Sequence, residues 1–252
     1  MTLSKPLSLR PGVKADVPEA AMVLAAGMGR RMRPLTATRP KPLITVRGRA
    51  LIDYALENLA RAGVKRAVVN THYLADQVEA HVKRRDHGLD ISLSDERAEL
   101  LETGGGCKKA LPLIGADTFY VMNSDNIVVD GPMDTLRLLA ERWDPGIMDA
   151  LLLLVPLARA TGYSGNGDFR MSGTGALLRQ SGTRLAPFIY SGTQIVKREL
   201  FEDTPDGPFS FNLIWDRLIE SGRLYGMAHL GGWYHVGTPA AITATETLLA
   251  SE

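Results

Sequence analysis

Residues 24–36 read LAAGMGRRMRPLT, and Lys41 and Pro42 follow closely. The apolar run that feeds this stretch, residues 20–26, has the length and flanking turn residues of a short buried strand rather than a helix. It empties directly into Gly27 and Gly29, where the missing Cβ lets the backbone turn sharply and bring its amides close to an anion. Arg30, Arg31 and Arg33 crowd the same loop, and Lys41 adds a fourth cation. A loop of this kind can hold a polyphosphate; taken alone, the same residues also suit a surface turn with solvated arginines.

Two better-known phosphate loops are excluded. The dinucleotide fingerprint requires a third glycine where Met32 stands and an acid closing the next strand, expected at residues 43–46, which read LITV. The P-loop requires Gly-Lys-Ser/Thr after four spacers, and the sequence contains no such run.

Outward from the loop, Leu51, Ile52, Ala55, Leu56, Leu59 and Ala60 recur at helical spacing and Gly63 supplies a stop. A strand is expected at 67–70, a helix on Leu74, Val78 and Val82, and a half-buried strand at 89–93. This βαβαβ order predicts a largely parallel sheet with helices on both faces. A loop over 94–105 is expected to carry the run ETGGG, and a short helix from Cys107 to be closed by Pro112. Residues 119–123 read as a strand ending at Ser124 and Asp125, and residues 149–157 are so uniformly apolar that they are expected at the sheet's centre. Beyond Pro156, frequent glycines separate short strand-like pieces near 169–171, 177–179 and 188–196, which predicts hairpins in a β-rich lobe laid over the sheet. Helices are expected at 212–219 and 239–249, with a strand at 224–230.

With 252 residues and 45% hydrophobic content, the chain can bury one large core. Twenty-nine basic against 28 acidic residues leave a net charge of +1, which offers no global field for nucleic acid or an anionic membrane. The basic cluster is local, so its partner is a small anion. The single cysteine, Cys107, excludes internal disulfides and suits a reducing cytoplasm. Residues 1–19 lack an apolar h-region and are expected to be a disordered leader before one domain spanning 20–252. The longest apolar run, 150–155, is far short of the ~20 residues that cross a bilayer.

The run from Leu24 to Pro42 resembles the signature of the bacterial sugar-1-phosphate nucleotidylyltransferases, in which Leu-Ala-Ala-Gly-x-Gly-x-Arg-Leu/Met-x-Pro-Leu-Thr precedes a Lys-Pro pair. The resemblance implies a Rossmann-like α/β fold: a mixed, mostly parallel sheet flanked by helices, with a nucleotide-binding part (20–157) and a β-rich sugar-binding part (158–252). It implies a nucleoside triphosphate and a sugar-1-phosphate as partners. Leu24, Ala25, Ala26, Gly27, Gly29 and Arg31 match the family's triphosphate loop, and Asn70 and Ser124 are expected beside it. Thr103, Gly104 and Gly105 match its glycine-rich turn at the nucleoside, where bare backbone would meet a planar base; a flexible linker is the plainer account of such a triplet. Nothing in these residues separates uracil from thymine.

In this family a Gly-Asp pair ends the corresponding strand and its Asp holds Mg²⁺; here Ser124 replaces the glycine and Asp125 keeps the acid. A second metal carboxylate is expected in a Trp-x-Asp-x-Gly-Thr run, but this chain reads Trp233, Tyr234, His235, Val236, Gly237, Thr238. Imidazole is a poor ligand for Mg²⁺ and a good one for Mn²⁺, Co²⁺ or Zn²⁺. Three roles are open to His235: a ligand for a softer metal, a hydrogen-bond partner of a phosphate oxygen, or a packed histidine that leaves the metal to Asp125.

Gly167, Asp168 and Phe169, with Tyr190, Ser191 and Gly192, are the candidate sugar contacts, though Asn166-Gly167 is also an ordinary hairpin turn signal. These residues, with Thr-Gly-Gly-Gly and Lys-Ala-Leu-Pro, are most similar to the N-acetylmuramate-1-phosphate uridylyltransferases of bacterial cell-wall recycling. The Glu-Glu-Lys-Pro run that holds glucose in the thymidylyltransferases is missing; Arg179, Gln180, Ser181 and Gly182 lie near that place. The implied catalytic residues are Arg31 and Lys41, which neutralise phosphate charge, and Asp125. Two other functions stay open: nucleotidyl transfer to another hexose-1-phosphate, and a nucleotide-sugar sensor without chemistry.

Overall fold

The computed structural model describes residues 16–180 and 185–250. Residues 1–15 of the expected leader, and Ser181 and Gly182, lie outside the described residues.

The first strand, β1 (Ala20–Leu24), leads into the glycine and arginine loop, and a two-residue hairpin, β2 (Thr45–Val46) and β3 (Arg49–Ala50), closes that segment. Then come α1 (Leu51–Ala62), β4 (Arg66–Thr71), α2 (Ala75–Arg84), β5 (Asp90–Asp95) and α3 (Glu102–Ile114). The middle of the chain holds β6 (Thr118–Asn123), β7 (Asn126–Val129), α4 (Thr135–Arg142) and β8 (Ala150–Pro156). The last third holds β9 (Phe169–Met171), β10 (Leu177–Arg179), β11 (Phe188–Lys197), α5 (Asn212–Glu220), β12 (Leu224–Ala228), β13 (Gly232–His235) and α6 (Pro239–Leu249).

The main sheet runs β12–β8–β11–β6–β1–β4–β5, with β9 and β10 branching from β11. Strands β6, β1, β4 and β5 are mutually parallel, whereas β11 runs antiparallel to both β6 and β8. Side chains of β1 alternate between faces: Ala21 and Val23 join a core with α1, α2 and α4, while Ala20 and Met22 join a second core with α3 and α5. Burial on both faces is why the strand reads as an unbroken apolar run. Away from the main sheet, β7 and β13 pair antiparallel, with Asn126 opposite His235. Beneath them Met32, Ile127, Tyr234 and Val236 form a third small core.

Several expectations are corrected. The apolar strand β8 lies one place from an edge, between β11 and β12, rather than at the centre. Residues 43–46 are no sheet strand: residues 41–43 form a 3-10 turn, and only Thr45–Val46 pairs, with β3. The β-rich segment is not laid over the sheet, because its longest strand, β11, is hydrogen-bonded between β6 and β8. The glycine triplet is not a loop but the first turns of α3, and Pro112 sits inside that helix, which ends at Gly115 in a left-handed conformation. No helix among the described residues is long and apolar enough to cross a membrane.

Candidate functional site

Loops at the carboxyl ends of β1 and β6 meet over the sheet, the position at which open α/β sheets gather ligands. The loop after β1 is shaped by Gly29, whose φ of +60° is left-handed and whose Cβ would lie 2.9 Å from Thr36 Cγ2. Thr36 Oγ1 donates to Gly29 O at 2.9 Å, which fixes the turn. Gly27, in contrast, has nothing within 4 Å of where a Cβ would point, so its backbone stands open beside the cleft. The turn at residues 41–43 carries Lys41 inward, where the residue is 9% exposed.

Lys41 Nζ donates to Asp125 Oδ2 at 2.6 Å. Burial opposes ionisation of Asp125, but the Lys41 ammonium, then His235 and Arg31, hold its carboxyl below the usual carboxylate range. Its other oxygen, Oδ1, is buried without a hydrogen-bond partner. An orphaned carboxylate oxygen among three cationic or imidazole groups has the lone pair that a divalent cation needs, so Asp125 fits the metal role the fold implies.

Two cavities meet at this residue. The first, about 330 Å³, is walled by Leu24, Ala25, Ala26, Gly27, Lys41, Thr103 and Ser124. The second, about 560 Å³, is walled by Arg31, Tyr163, Tyr190, Trp233, His235 and Thr238. Asn123 and Asp125 line both. A molecule in either cavity therefore faces one in the other across the same carboxylate.

His235 reaches the site through the β7–β13 pair. Its Nδ1 lies 2.8 Å from Asn126 Oδ1, and its ring stacks on Trp233 at an interplanar angle of 11°. Burial lowers its pKa below the ordinary histidine value, with Lys41 and Arg31 pushing the same way and Asp125 opposing, so the ring is neutral near pH 7. With Nδ1–H donated to Asn126, Nε2 presents a lone pair. The backbone is pinned as well, since Val236 N donates to Asp125 O at 3.2 Å.

Other expected residues serve from behind. Asn70 lines neither cavity; its Oδ1 accepts from Ala25 N at 2.7 Å and its Nδ2 donates to Glu96 Oε1 at 2.7 Å. Glu96 is fully buried, and its Oε2 accepts at 3.1 Å from the amide of Leu101, whose neighbours Leu100 and Glu102 line the first cavity. Ser124 Oγ donates to Leu24 O at 2.7 Å. Gly104 and Gly105 both donate to Phe209 O, and added Cβ atoms would lie 2.3 Å from Phe209 Cε2 and Gly207 O respectively. Their bareness lets α3 pack against residues 207–209, so their amides do not face the cleft.

Among the candidate sugar contacts, only Tyr190 lines the second cavity. Its ring lies edge-on to Trp215, and its hydroxyl is buried and without a hydrogen-bond partner. Asp168 Oδ2 accepts from Tyr190 N at 2.8 Å, and Ser191 O accepts from Trp233 Nε1 at 2.8 Å. Gly167 lies against Ala186 O. Gly192, at φ +90°, sits in the register shift of β11, with Asn123 and Asn126 where a Cβ would be. Asn123, Asn126, Glu96 and Tyr163 were not singled out by sequence; the Asn-Ser-Asp-Asn run at 123–126 was the one available signal.

A family model described as Nucleotidyl transferase matches residues 20–165, more than half of the chain. The chain belongs to this nucleotidyl transferase family. This nucleotidyl transferase is 46% identical over 239 residues to an N-acetylmuramate alpha-1-phosphate uridylyltransferase of Caulobacter vibrioides, covering 94% of this chain and 99% of that one. A protein of the same description from Neisseria meningitidis is 34% identical over 238 residues, covering 90% and 97%. In three dimensions the nucleotidyl transferase is similar to a putative glucose-1-phosphate thymidylyltransferase of Bacillus anthracis, with a TM-score of 0.76, 18% identity and coverage of 91% and 94%. At that identity the likeness concerns the fold.

Proposed function

We propose that this protein transfers a uridylyl group from UTP to N-acetylmuramate α-1-phosphate and releases pyrophosphate. The observation that carries the reading is the wall of Asn123 and Asp125 shared by two cavities, which suits transfer between a nucleotide in one and a sugar phosphate in the other. Near full-length similarity to two uridylyltransferases of that description supports the choice of base and sugar.

In this reading, the triphosphate lies along residues 24–29, with the nucleoside toward Thr103, and the sugar occupies the cavity of Tyr163, Tyr190 and Trp233. A sugar-phosphate oxygen attacks the α-phosphorus in line; the new P–O bond forms as the bond to the bridging oxygen breaks, and pyrophosphate takes that electron pair. The attacking group is already an anion, so no base is required, and the chain's work is positioning and charge neutralisation. Lys41 neutralises the α-phosphate, and Arg31 offers its planar fork to phosphate oxygens. Asp125 and His235 would hold a divalent cation, which when bound supplies charge compensation on the phosphates. Mg²⁺ is the hard-ligand choice for Asp125, and His235 suits Mn²⁺ or Co²⁺ equally well. The division at residue 157 into nucleotide and sugar parts, and a cytoplasmic location where UTP is available, belong to the same proposal.

The test is pyrophosphate release by purified protein with UTP, dTTP, GTP and CTP against a panel of sugar-1-phosphates. UTP with N-acetylmuramate-1-phosphate should give the highest kcat/KM. Release with glucose-1-phosphate alone would reject the sugar, and UTP binding without release from any pairing would favour a sensor.

A further inference from the structure

A second cluster of ionisable side chains lies on α1, α2 and the turn after α2, and none of them lines either cavity of the candidate site. Asp53, in the first turn of α1, is fully buried. His81, in the last turn of α2, places Nε2 at 2.7 Å from Asp53 Oδ1, and His87 places its Nε2 at 2.9 Å from the same oxygen. The side chain of His87 is wholly buried and that of His81 is 20% exposed. Two polar atoms of the cluster, Asp53 Oδ2 and His87 Nδ1, are buried without a hydrogen-bond partner.

We infer that Asp53, His81 and His87 form a binding site for one divalent transition-metal ion of the zinc class, separate from the transfer site. One ligand atom from each residue lies within 4.8 Å of the other two. Ligands about 2.0–2.2 Å from a tetrahedral zinc ion sit about 3.3–3.6 Å apart, so the two histidine–carboxylate spacings of 2.7 and 2.9 Å need to open by roughly half an ångström. Two imidazoles and one carboxylate suit Zn²⁺, Co²⁺ or Ni²⁺ and disfavour Mg²⁺ or Ca²⁺. Burial opposes charge on Asp53, yet hydrogen bonds from His87 and His81, with His81 and Arg85 adding attraction, hold its carboxyl below the usual range, so the anionic ligand is present at neutral pH.

Arg85 is the competing cation. Its Nη1 is 3.1 Å from Asp53 Oδ2 but makes no aligned hydrogen bond there, whereas its Nη2 donates to Glu57 Oε1 at 2.9 Å. With a side chain 45% exposed, Arg85 can stay on Glu57 while an ion takes Oδ2 or Oδ1. The bound ion would staple the turn at residues 85–88 and α2 to α1, a structural role like that of other zinc sites whose binding energy adds to folding.

The experiment is titration of the untagged full-length protein, freed of metal by chelator, with Co²⁺ and then Zn²⁺, followed by calorimetry and visible absorption. The same titration is run on D125N/H235A, which removes the ligands assigned to the transfer site. D125N/H235A should bind one Co²⁺ per chain, and the parent that ion plus any held at the transfer site, with visible d–d bands that Zn²⁺ abolishes. Saturating Zn²⁺ should raise the melting temperature by about 5 °C or more. Introduced into D125N/H235A, His81→Ala, at a partly exposed helix position, and His87→Ala should each lower affinity at least ~100-fold and remove the bands. Absence of Co²⁺ binding to D125N/H235A, or binding that survives both histidine substitutions in that variant, would overturn the site and leave a hydrogen-bonded clasp.

Discussion

Lys41 Nζ and Asp125 Oδ2 lie 2.6 Å apart and join two loops separated by 84 residues. Asp125 lines both cavities and Lys41 the first, and each member of the pair neutralises the other. Removing one partner strands the other's charge in a poorly hydrated place. Lys41→Met should therefore cost about 2–3 kcal/mol in denaturant unfolding, below the ~3–5 kcal/mol of fully buried pairs because Asp125 is a quarter exposed. Asp125→Asn should lower kcat by about 100-fold or more. The double variant should recover most of the stability and none of the turnover; additive stability losses would contradict the coupling.

Asn70 and Glu96 are expected to act on nucleotide affinity rather than chemistry. Through them the amide of Ala25, which lines the first cavity, and the amide of Leu101, between Leu100 and Glu102 that line it, hang on one buried carboxylate. Glu96→Gln sets an amide N–H against a donor on one side. A rise in KM for UTP of about tenfold with kcat nearly unchanged is expected, equivalent to about 1.4 kcal/mol of binding. Steady-state kinetics with saturating sugar phosphate would read it, and an equal fall in kcat would speak for a part in the chemical step.

The glycines divide by what surrounds them. Gly27→Ala meets nothing within 4 Å, so the melting temperature should hold while nucleotide affinity falls, because the methyl group stands where phosphate would approach. Gly104→Ala puts its methyl 2.3 Å from a Phe209 ring carbon and should destabilise by about 1–3 kcal/mol through overpacking. Thermal unfolding and UTP titration of both variants separate the two outcomes.

The pH dependence of turnover should carry the signature of His235. Burial lowers its pKa, so the neutral, metal-competent ring persists from alkaline pH down past the ordinary histidine value, and activity declines only below it. Asp125, depressed below the usual carboxylate range, stays ionised across that window and adds no acid limb there. His235→Asn should flatten the limb and weaken the response to Mn²⁺ more than to Mg²⁺. A limb at or above the ordinary histidine value would contradict the assignment.

Acid should weaken the fold through Asp149. Arg223 grips both its oxygens, at 2.5 and 2.8 Å, and Lys197 lies 2.6 Å away. Hydrogen bonding from Arg223 and Lys197 outweighs burial and depresses its pKa, so the contribution is whole above the ordinary carboxylate value and is lost as the pH falls through the depressed one. Asp149→Asn should cost about 2–3 kcal/mol at neutral pH and shrink the difference from the parent in acid, as urea unfolding at both pH values would register.

What could be read along the chain was what neighbours in sequence decide. Residues 20–29 announce a buried strand and a glycine turn because burial on both faces and bare backbone are local requirements, and the loop indeed opens onto the first cavity. Gly104 was harder, since a glycine can be bare for a ligand or for its own protein, and Phe209, 105 positions away, is what fills the space. Asp168 was a sugar candidate through the Gly-Asp-Phe resemblance, and a resemblance does not show that its Oδ2 accepts from the backbone of Tyr190. The short pair β7–β13 left no periodic trace, as four residues are too few to show one. The central placing of β8 failed because β12 and β11 bury a penultimate strand as fully as a middle one.

The ribbon that carries His235 has a consequence for biosynthesis. Asn126 and its histidine partner are 109 residues apart, and the strand that brings them together leaves the ribosome long after β7. A nascent chain can thus complete the loop after β1 and the lysine-carboxylate pair early, yet it lacks a wall of the second chamber until residues 233–238 have emerged. Chains released before β13 would hold the first cavity's wall without that part of the second's.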